Sequence, residues 1–347
     1  VADAHPGRGA SWAAAGLLAP VTEVHYGEET LLRLNLESAR RYRGFVTELE
    51  EASGHPVGFR DCGTVIAARD VDDNAALDEL FSFHHRLGLD SERLNSRECR
   101  ALEPALAPTI RGGIFATGDH QVDNRALVGA LFAACERSGV TFDRRRVTRV
   151  DVVDDRVEGI TTEDGGAISS TSVVLAAGSH SGEIDGLPVE ARPPVRPVKG
   201  QLLHLRGPAN DPLLEHNVRG LDVYLVARGD GRVVVGATVE ERGYDDRVTA
   251  EGVHDLLRYA YELVPGIVEL ELTETLVGFR PGTPDNAPIL GRTIIDGLTV
   301  ATGHYRNGIL LTPVTADEIA RLLFTGETST LIAPFSPARF NKLEVAS

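Results

Sequence analysis

The apolar positions of this chain repeat with two different periods, and the two are interleaved along its length. Helical spacing governs residues 29–53 and 72–88, and most clearly the stretch from Asp123 or Asn124, as N-cap, to a stop at Gly139. There Leu127, Leu131 and Cys135 mark the stripe expected to be buried, joined by Val128 and Phe132. Further helices are expected over 249–263 and from about Gly308 to Leu323, stopping at Gly326. Alternation of period two marks 147–162, with Asp154-Asp155 at a hairpin turn. It also marks 201–205 and 223–237, the latter broken by Arg228-Gly229-Asp230-Gly231 as in a β-hairpin. The run Val173-Val174-Leu175-Ala176-Ala177-Gly178 is apolar and ends in small residues, the pattern of a parallel strand buried on both faces. A second strand ending in glycine is Leu298-Thr299-Val300-Ala301-Thr302-Gly303.

Short buried strands followed by helices predict an α/β core. Longer alternating strands with hairpins predict an antiparallel sheet. Because these pieces interleave, at least one domain is expected to be discontinuous, and 347 residues suggest roughly two domains.

Charge narrows the class of partner. The chain holds 35 Lys and Arg against 51 Asp and Glu, a net charge of −16, which argues against nucleic acid. No stretch approaches the ~20 apolar residues of a membrane span, and no signal peptide opens the chain. Cys62, Cys99 and Cys135 are odd in number and widely spaced, which fits a reducing compartment and no disulfide or metal framework; Cys135 is expected to be a small core residue. His84 and His85 diverge on a helix, so no metal site is expected. Arg144-Arg145-Arg146 reads as a solvated turn. A cytoplasmic location follows from these features.

Four segments carry candidate chemistry. Val1-Ala2-Asp3 followed by Gly7 to Gly16 places an acid at a strand end and then a run of small residues; alone it also reads as a plain Gly/Ala-rich loop and helix start. Leu175 to Ser181 allows close approach of a ligand to the backbone, or is simply a tight turn. In Gly278-Phe279-Arg280-Pro281-Gly282-Thr283, one arginine lies between an apolar strand and a rigid turn, suited to a bidentate grip on a carboxylate or to a structural salt bridge. In Ala301 to Leu311 a strand feeds a polar loop and then a helix whose first N–H groups lack partners, a site for partial negative charge.

In combination these segments resemble the FAD-dependent amino-acid oxidases of the D-amino-acid oxidase superfamily, and most closely the glycine oxidases of thiamine biosynthesis. The resemblance adds Pro197-Val198-Lys199-Gly200 and a tyrosine on the 224–238 hairpin, and runs in family order from Asp3 to about Leu323. It implies a Rossmann-like FAD-binding domain (1–35, 121–190 and 286–335), an antiparallel-sheet substrate domain (36–120 and 191–285) and a C-terminal tail (336–347). In such a fold Asp3 would bind the adenosine ribose, and Ser11, Ala14, Ala15, Gly16 and Leu17 would lie along the diphosphate and flavin. The backbone of Val147 would meet adenine, and Ala177 and Gly178 the diphosphate. Gly303, His304, Arg306, Asn307, Gly308 and Ile309 would line the flavin side. Arg280 would grip the substrate carboxylate, assisted by Tyr224, with Arg306 beside the active site. No side chain is assigned as acid or base, since flavin carries the chemistry and the protein positions.

Two positions depart from the family pattern: a tryptophan is replaced by His180 and a methionine by Leu17. No cysteine follows Cys135, so non-covalent FAD is expected. The implied activity is oxidation of glycine by oxygen, with sarcosine or a D-amino acid as alternative substrates, in a homo-oligomer. A reading of another class is a non-catalytic fragment unable to hold FAD. It is motivated by the opening of the chain: there is no methionine, and no Gly-x-Gly-x-x-Gly turn precedes Asp3. Val1-Ala2-Asp3 thus reads as the tail of a second strand, with about 30 residues, one βα unit, expected ahead of it.

Overall fold

A computed structural model describes residues 1–340. Its largest element is an eight-stranded sheet whose strands run, in spatial order, Glu271–Gly282, Arg196–Arg206, Arg232–Gly236, Tyr224–Ala227, Asn217–Arg219, Thr64–Ala68, Gly112–Ala116 and Glu92–Asn95. Neighbours are antiparallel except Asn217–Arg219 beside Thr64–Ala68. The expected antiparallel sheet is therefore mixed. Those two strands are far apart in sequence, so no hairpin dictates their relative direction.

The period-two pattern gives this sheet two different faces. Leu203, Leu205, Leu225, Ala227, Val233 and Val235 bury against Leu256, Ala260 and Leu263 of the helix Ala250–Leu263. That helix is capped by Thr249, whose hydroxyl accepts the Gly252 N–H. On the opposite face Leu202, Val226 and Val234 pack with Ala15, and Leu17, Tyr224 and Leu276 join them. One face thus closes a hydrophobic core, and the other meets the small-residue segment near the start of the chain.

A second, three-stranded sheet has the order Ile289–Arg292, Leu298–Thr302, Val173–Leu175. Its last two strands are parallel, as the apolar run at 173–178 predicted. Burial on both faces is not observed: Val174 is 40% exposed, because its strand is the sheet edge and its outward side carries no packed layer among the described residues. The hairpin Val147–Val153 to Arg156–Thr162 turns at Asp154 and Asp155, both at positive φ, the primed geometry that suits strand twist.

Helix Glu29–Ser53 packs against helix Asn124–Arg137 through Tyr42, Val46 and Leu49 on one side and Leu127 and Ala130 on the other. Asp123 caps the second helix, accepting the N–H groups of Arg125 and Ala126. The seam is centred on Leu127 and Ala130, with Leu131 and Ala134 half-buried at its margin, so Cys135, half-buried and off the seam, is not a core residue. His84 is buried and His85 exposed, diverging as expected. The last helix begins later than its pattern suggested, at Thr312–Thr325, because Gly308–Leu311 form turns and Pro313 suits a first helical turn. Gly326 ends it at positive φ. Of the expected tail, Pro337–Arg339 forms a short turn tied to Asp285 by Arg339, and 341–347 lie outside the described residues.

Candidate active site

One corner of the large sheet is built on glycines. Gly200 and Gly278 are directly paired, and Gly236 pairs with both Leu202 and Tyr224. All lie on the face that meets Ala15. Each leaves a hollow that another group fills. A Cβ at Gly278 would fall 2.6 Å from the Ala13 methyl, one at Gly200 2.5 Å from Arg280 Nη1, and one at Gly236 2.5 Å from Tyr224 Oη. Arg280 and Tyr224 sit on strands three steps apart, about 14 Å at the usual strand spacing. They lean inward over the glycines and approach one another.

Arg280 lies within the long strand Glu271–Gly282, not in the turn after it. Its Nη1 donates to the carbonyls of Thr238 (3.0 Å) and Lys199 (3.4 Å), and no carboxylate among the described residues forms an ion pair with it. Lys199 itself is buried, with Nζ on the Arg247 carbonyl at 2.7 Å. It tethers the 238–249 loop that supplies the Thr238 carbonyl. A guanidinium fixed by neutral acceptors and lacking a counter-ion is a ready receptor for an incoming carboxylate. Burial pushes the Tyr224 phenol up, with the Arg280 cation opposing, so Tyr224 stays a neutral donor beside it.

Next to Tyr224 the wall is charged. Arg219, paired in register with Tyr224, donates to Glu23 and to the Thr22 carbonyl. Glu23 lies 3.8 Å from Arg306 Nε, and Arg306 Nη2 donates to Glu28 at 2.9 Å. Burial works against the Glu23 charge, but Arg219, Arg306 and His25 together hold its carboxyl below the usual range. Arg306 is therefore joined to Tyr224 through Glu23 and Arg219. The sequence pattern singled out none of Glu23, Glu28, Arg219 or Gly236, and gave Gly200 only as part of a motif. Glycines inside strands are themselves a signal of close approach and could have pointed here.

The remaining expected positions supply donors. The backbone N–H groups of Gly308, Ile309 and Leu310 meet no acceptor among the described residues, and Leu311 is the first to bond back, to Asn307. The N–H groups of Ala15 and Gly16 are likewise free in a buried segment. Ser11 is exposed and Ala14 half-buried, both on the Gly/Ala-rich turn, and Leu17 begins a short strand against Gln121. Gly303 and Asn307 are buried, and His304 donates to or accepts from Thr315 at 2.9 Å. Burial pulls the His304 pKa down to about 4. Ala177 is exposed, and a Cβ at Gly178 would meet open space. His180, in place of the family tryptophan, stacks flat on Tyr244 at 4.6 Å.

Asp3 and Val147 form a separate group. Ala2 bridges to Asp143, and Asp3 is exposed with one carboxylate oxygen on the His5 N–H. Val147 opens the hairpin shortly after Asp143.

Two groups of unpaired buried N–H donors, one turn before a helix and one beside it, fit the acceptor-rich edge of a flavin. The open backbone at Gly178 fits a diphosphate. Among the described residues no cluster of three metal-ligating side chains occurs, and no helix is long and apolar enough to cross a membrane.

Comparison with known proteins agrees with this geometry. Residues 1–322 match the family model described as FAD dependent oxidoreductase (DAO). The chain is 38% identical over 336 residues to the bifunctional protein ThiO/ThiG of Synechocystis, covering 95% of this chain and 48% of that protein. It is 34% identical to the glycine oxidase of Geobacillus kaustophilus, covering 96% and 88%. The crystal structure of that glycine oxidase superposes with a TM-score of 0.90 at 33% identity over 97% of this chain and 91% of that one. An iminodiacetate oxidase from Chelativorans superposes at 0.87, with 30% identity over 96% and 91%. The chain spans about half the length of the bifunctional relatives it matches. The chain belongs to the DAO family of FAD dependent oxidoreductases.

Proposed function

We propose that this chain is an FAD-dependent oxidase of glycine, converting glycine, oxygen and water to glyoxylate, ammonia and hydrogen peroxide, in the service of thiazole synthesis for thiamine. The observation that carries the reading is Arg280: a fixed guanidinium without a counter-ion, beside the neutral Tyr224 hydroxyl. Arg280 binds the substrate carboxylate and Tyr224 donates to it, which fixes the direction of the α-carbon. FAD, when bound, would supply the hydride acceptor, with oxygen as the final oxidant. The N–H groups of Gly308, Ile309 and Leu310, without acceptors among the described residues, would hold the pyrimidine edge and offset negative charge there. Glu23 and Glu28 keep the Arg306 cation in place.

In this reading residues 1–35, 121–190 and 286–335 bind FAD. Residues 36–120 and 191–285 bind substrate, Asp3 takes the ribose and Val147 the adenine. FAD is expected to be held without a covalent bond, since no cysteine follows Cys135. Three free thiols suit a cytoplasmic protein, and a homo-oligomer is expected from the family resemblance.

The test is peroxide release by the FAD-loaded protein with glycine, sarcosine, D-alanine and D-proline. Glycine is expected to have the highest kcat/KM. A D-amino acid ahead by about tenfold or more would overturn the substrate assignment, and a protein that stays colourless with added FAD would overturn the whole reading.

A further inference from the structure

The small-residue segment that faces the flavin site has an unusual polarity: its carbonyls are tied down on one side. Arg228 Nη2 donates to the Ala15 carbonyl at 2.8 Å, and Asn124 Nδ2 donates to the carbonyls of Ser11 and Trp12, both at 2.9 Å. The Gly16 carbonyl accepts the Val122 N–H at 2.9 Å. Four carbonyls of the stretch 11–16 are thereby engaged, while the N–H groups of Ala15 and Gly16 have no acceptor among the described residues.

Arg228 and Asn124 act as one unit. Arg228 Nη2 also donates to Asn124 Oδ1 at 3.0 Å, which fixes the amide so that its nitrogen points at the two carbonyls. Arg228 Nη1 is held by Gln121 Oε1 and the Val122 carbonyl, each at 2.7 Å. No carboxylate pairs with Arg228 among the described residues. The nearest acid, Asp123, is engaged by Arg232 at 2.9 Å and by the helix N-terminus. Burial pulls the Arg228 pKa down to about 10, so the side chain stays charged at neutral pH. Its four hydrogen bonds all go to neutral oxygens. Gly16 completes the fit, since a Cβ there would fall 2.0 Å from the Val122 carbonyl and φ is +76°.

We infer that Arg228 and Asn124 are positioning residues for the flavin: they turn the carbonyls of Ser11, Trp12 and Ala15 away from the cofactor and so present the Ala15 and Gly16 N–H groups to it. The inference rests on the FAD reading above. It also links the two halves of the site, because Arg228 directly follows the strand Tyr224–Ala227 that carries Tyr224.

The test compares Arg228→Gln, Asn124→Asp and the double variant with the unaltered protein. The readouts are FAD affinity by fluorescence quenching, the flavin absorption spectrum, and the KM for glycine at saturating FAD. Asn124→Asp keeps the oxygen that Arg228 grips and gains an ion pair with it, but loses both N–H donors and sets an acceptor against the two carbonyls, and thermal melts confirm that each variant is folded. The expected result is an FAD Kd raised about tenfold in each single variant, a shifted flavin spectrum, and a glycine KM changed less than about twofold. The double variant should be little worse than either single one, as members of one unit are non-additive. An Asn124→Asp protein with unchanged FAD Kd and spectrum would overturn the inference, as would fully additive effects. Failure of the unaltered protein to bind FAD would instead overturn the FAD reading itself.

Discussion

Arg280 Nη1 occupies the space that a side chain at Gly200 would need, 2.5 Å from the position of the absent Cβ. Gly200 is thus part of the carboxylate receptor although it offers no functional group. Its partner strand supplies the arginine, and its own strand supplies the Lys199 carbonyl that holds it. The obstructed atom is the far end of a flexible side chain, so adding a methyl costs little packing but moves the guanidinium. Gly200→Ala is expected to raise the KM for glycine by about tenfold or more while the apparent Tm falls by only a few degrees. Steady-state kinetics with parallel thermal melts check this. An unchanged KM would show that Arg280 does not hold the substrate where it now sits.

The same receptor needs a planar, five-donor cation. Arg280→Lys keeps the charge but not the two-point grip, so kcat/KM is expected to fall by about two orders of magnitude or more. Tyr224→Phe removes one donor and should cost about tenfold, read mostly in KM. Equal kinetics for Arg280→Lys and the unaltered enzyme would remove Arg280 from the binding role.

Glu23 lies between two cations, in contact with Arg219 and 3.8 Å from Arg306 Nε. It is the shared counter-charge of a half-buried row, and removing it leaves Arg219 without a carboxylate partner among the described residues. Breaking such a pair from one side costs about 3–5 kcal/mol. Glu23→Gln is therefore expected to lower Tm by roughly 4–7 °C if melting is two-state. Replacing Arg219 by glutamine in the same protein should recover part of that loss, because the stranded charge goes with it. Calorimetry on the four proteins of this cycle measures the coupling directly, and additive losses would refute it.

Much of the fold was legible because its driving patterns are local. The 29–53 helix was legible as a charge-rich stretch and the 124–137 helix from its apolar spacing, and the latter carries its Asp123 cap in the sequence. The Asp154-Asp155 turn follows from its flanking alternation. Arg280 and Tyr224 were visible through the motifs around them. What stayed hidden depends on lateral strand order. The mixed character of the large sheet and the meeting of strands 217–219 and 64–68 have no local code. For the same reason Arg219 and Glu23 were silent: each is an ordinary charged residue until the fold brings them together. The seam of the 124–137 helix was misjudged because positions 127, 131 and 135 and positions 127, 130, 131 and 134 are both helical stripes. Only the packed partner, helix 29–53, selects between them.

Three histidines give the fold a defined acid limit. Burial pulls His84, His204 and His304 each down to about 4 from the usual 6.5, with nearby Arg125 adding to the effect at His204. Each is therefore neutral in the folded chain and protonated in the unfolded chain between those two values. The unfolded state binds more protons across that window, so stability rises with pH there. The contribution is fully present above pH ~6.5 and is lost as pH falls through about 4. His304 is the member tied to the site, through its bond to Thr315 at the start of the last helix. Replacing it with glutamine, which can still meet the Thr315 hydroxyl, should leave the neutral-pH fold in place and make the pH slope of unfolding shallower. The change expected is about one proton in the middle of the window. Denaturant unfolding at several pH values between 4 and 7 reads that slope, and an unchanged slope in His304→Gln would mean that His304 does not titrate with folding.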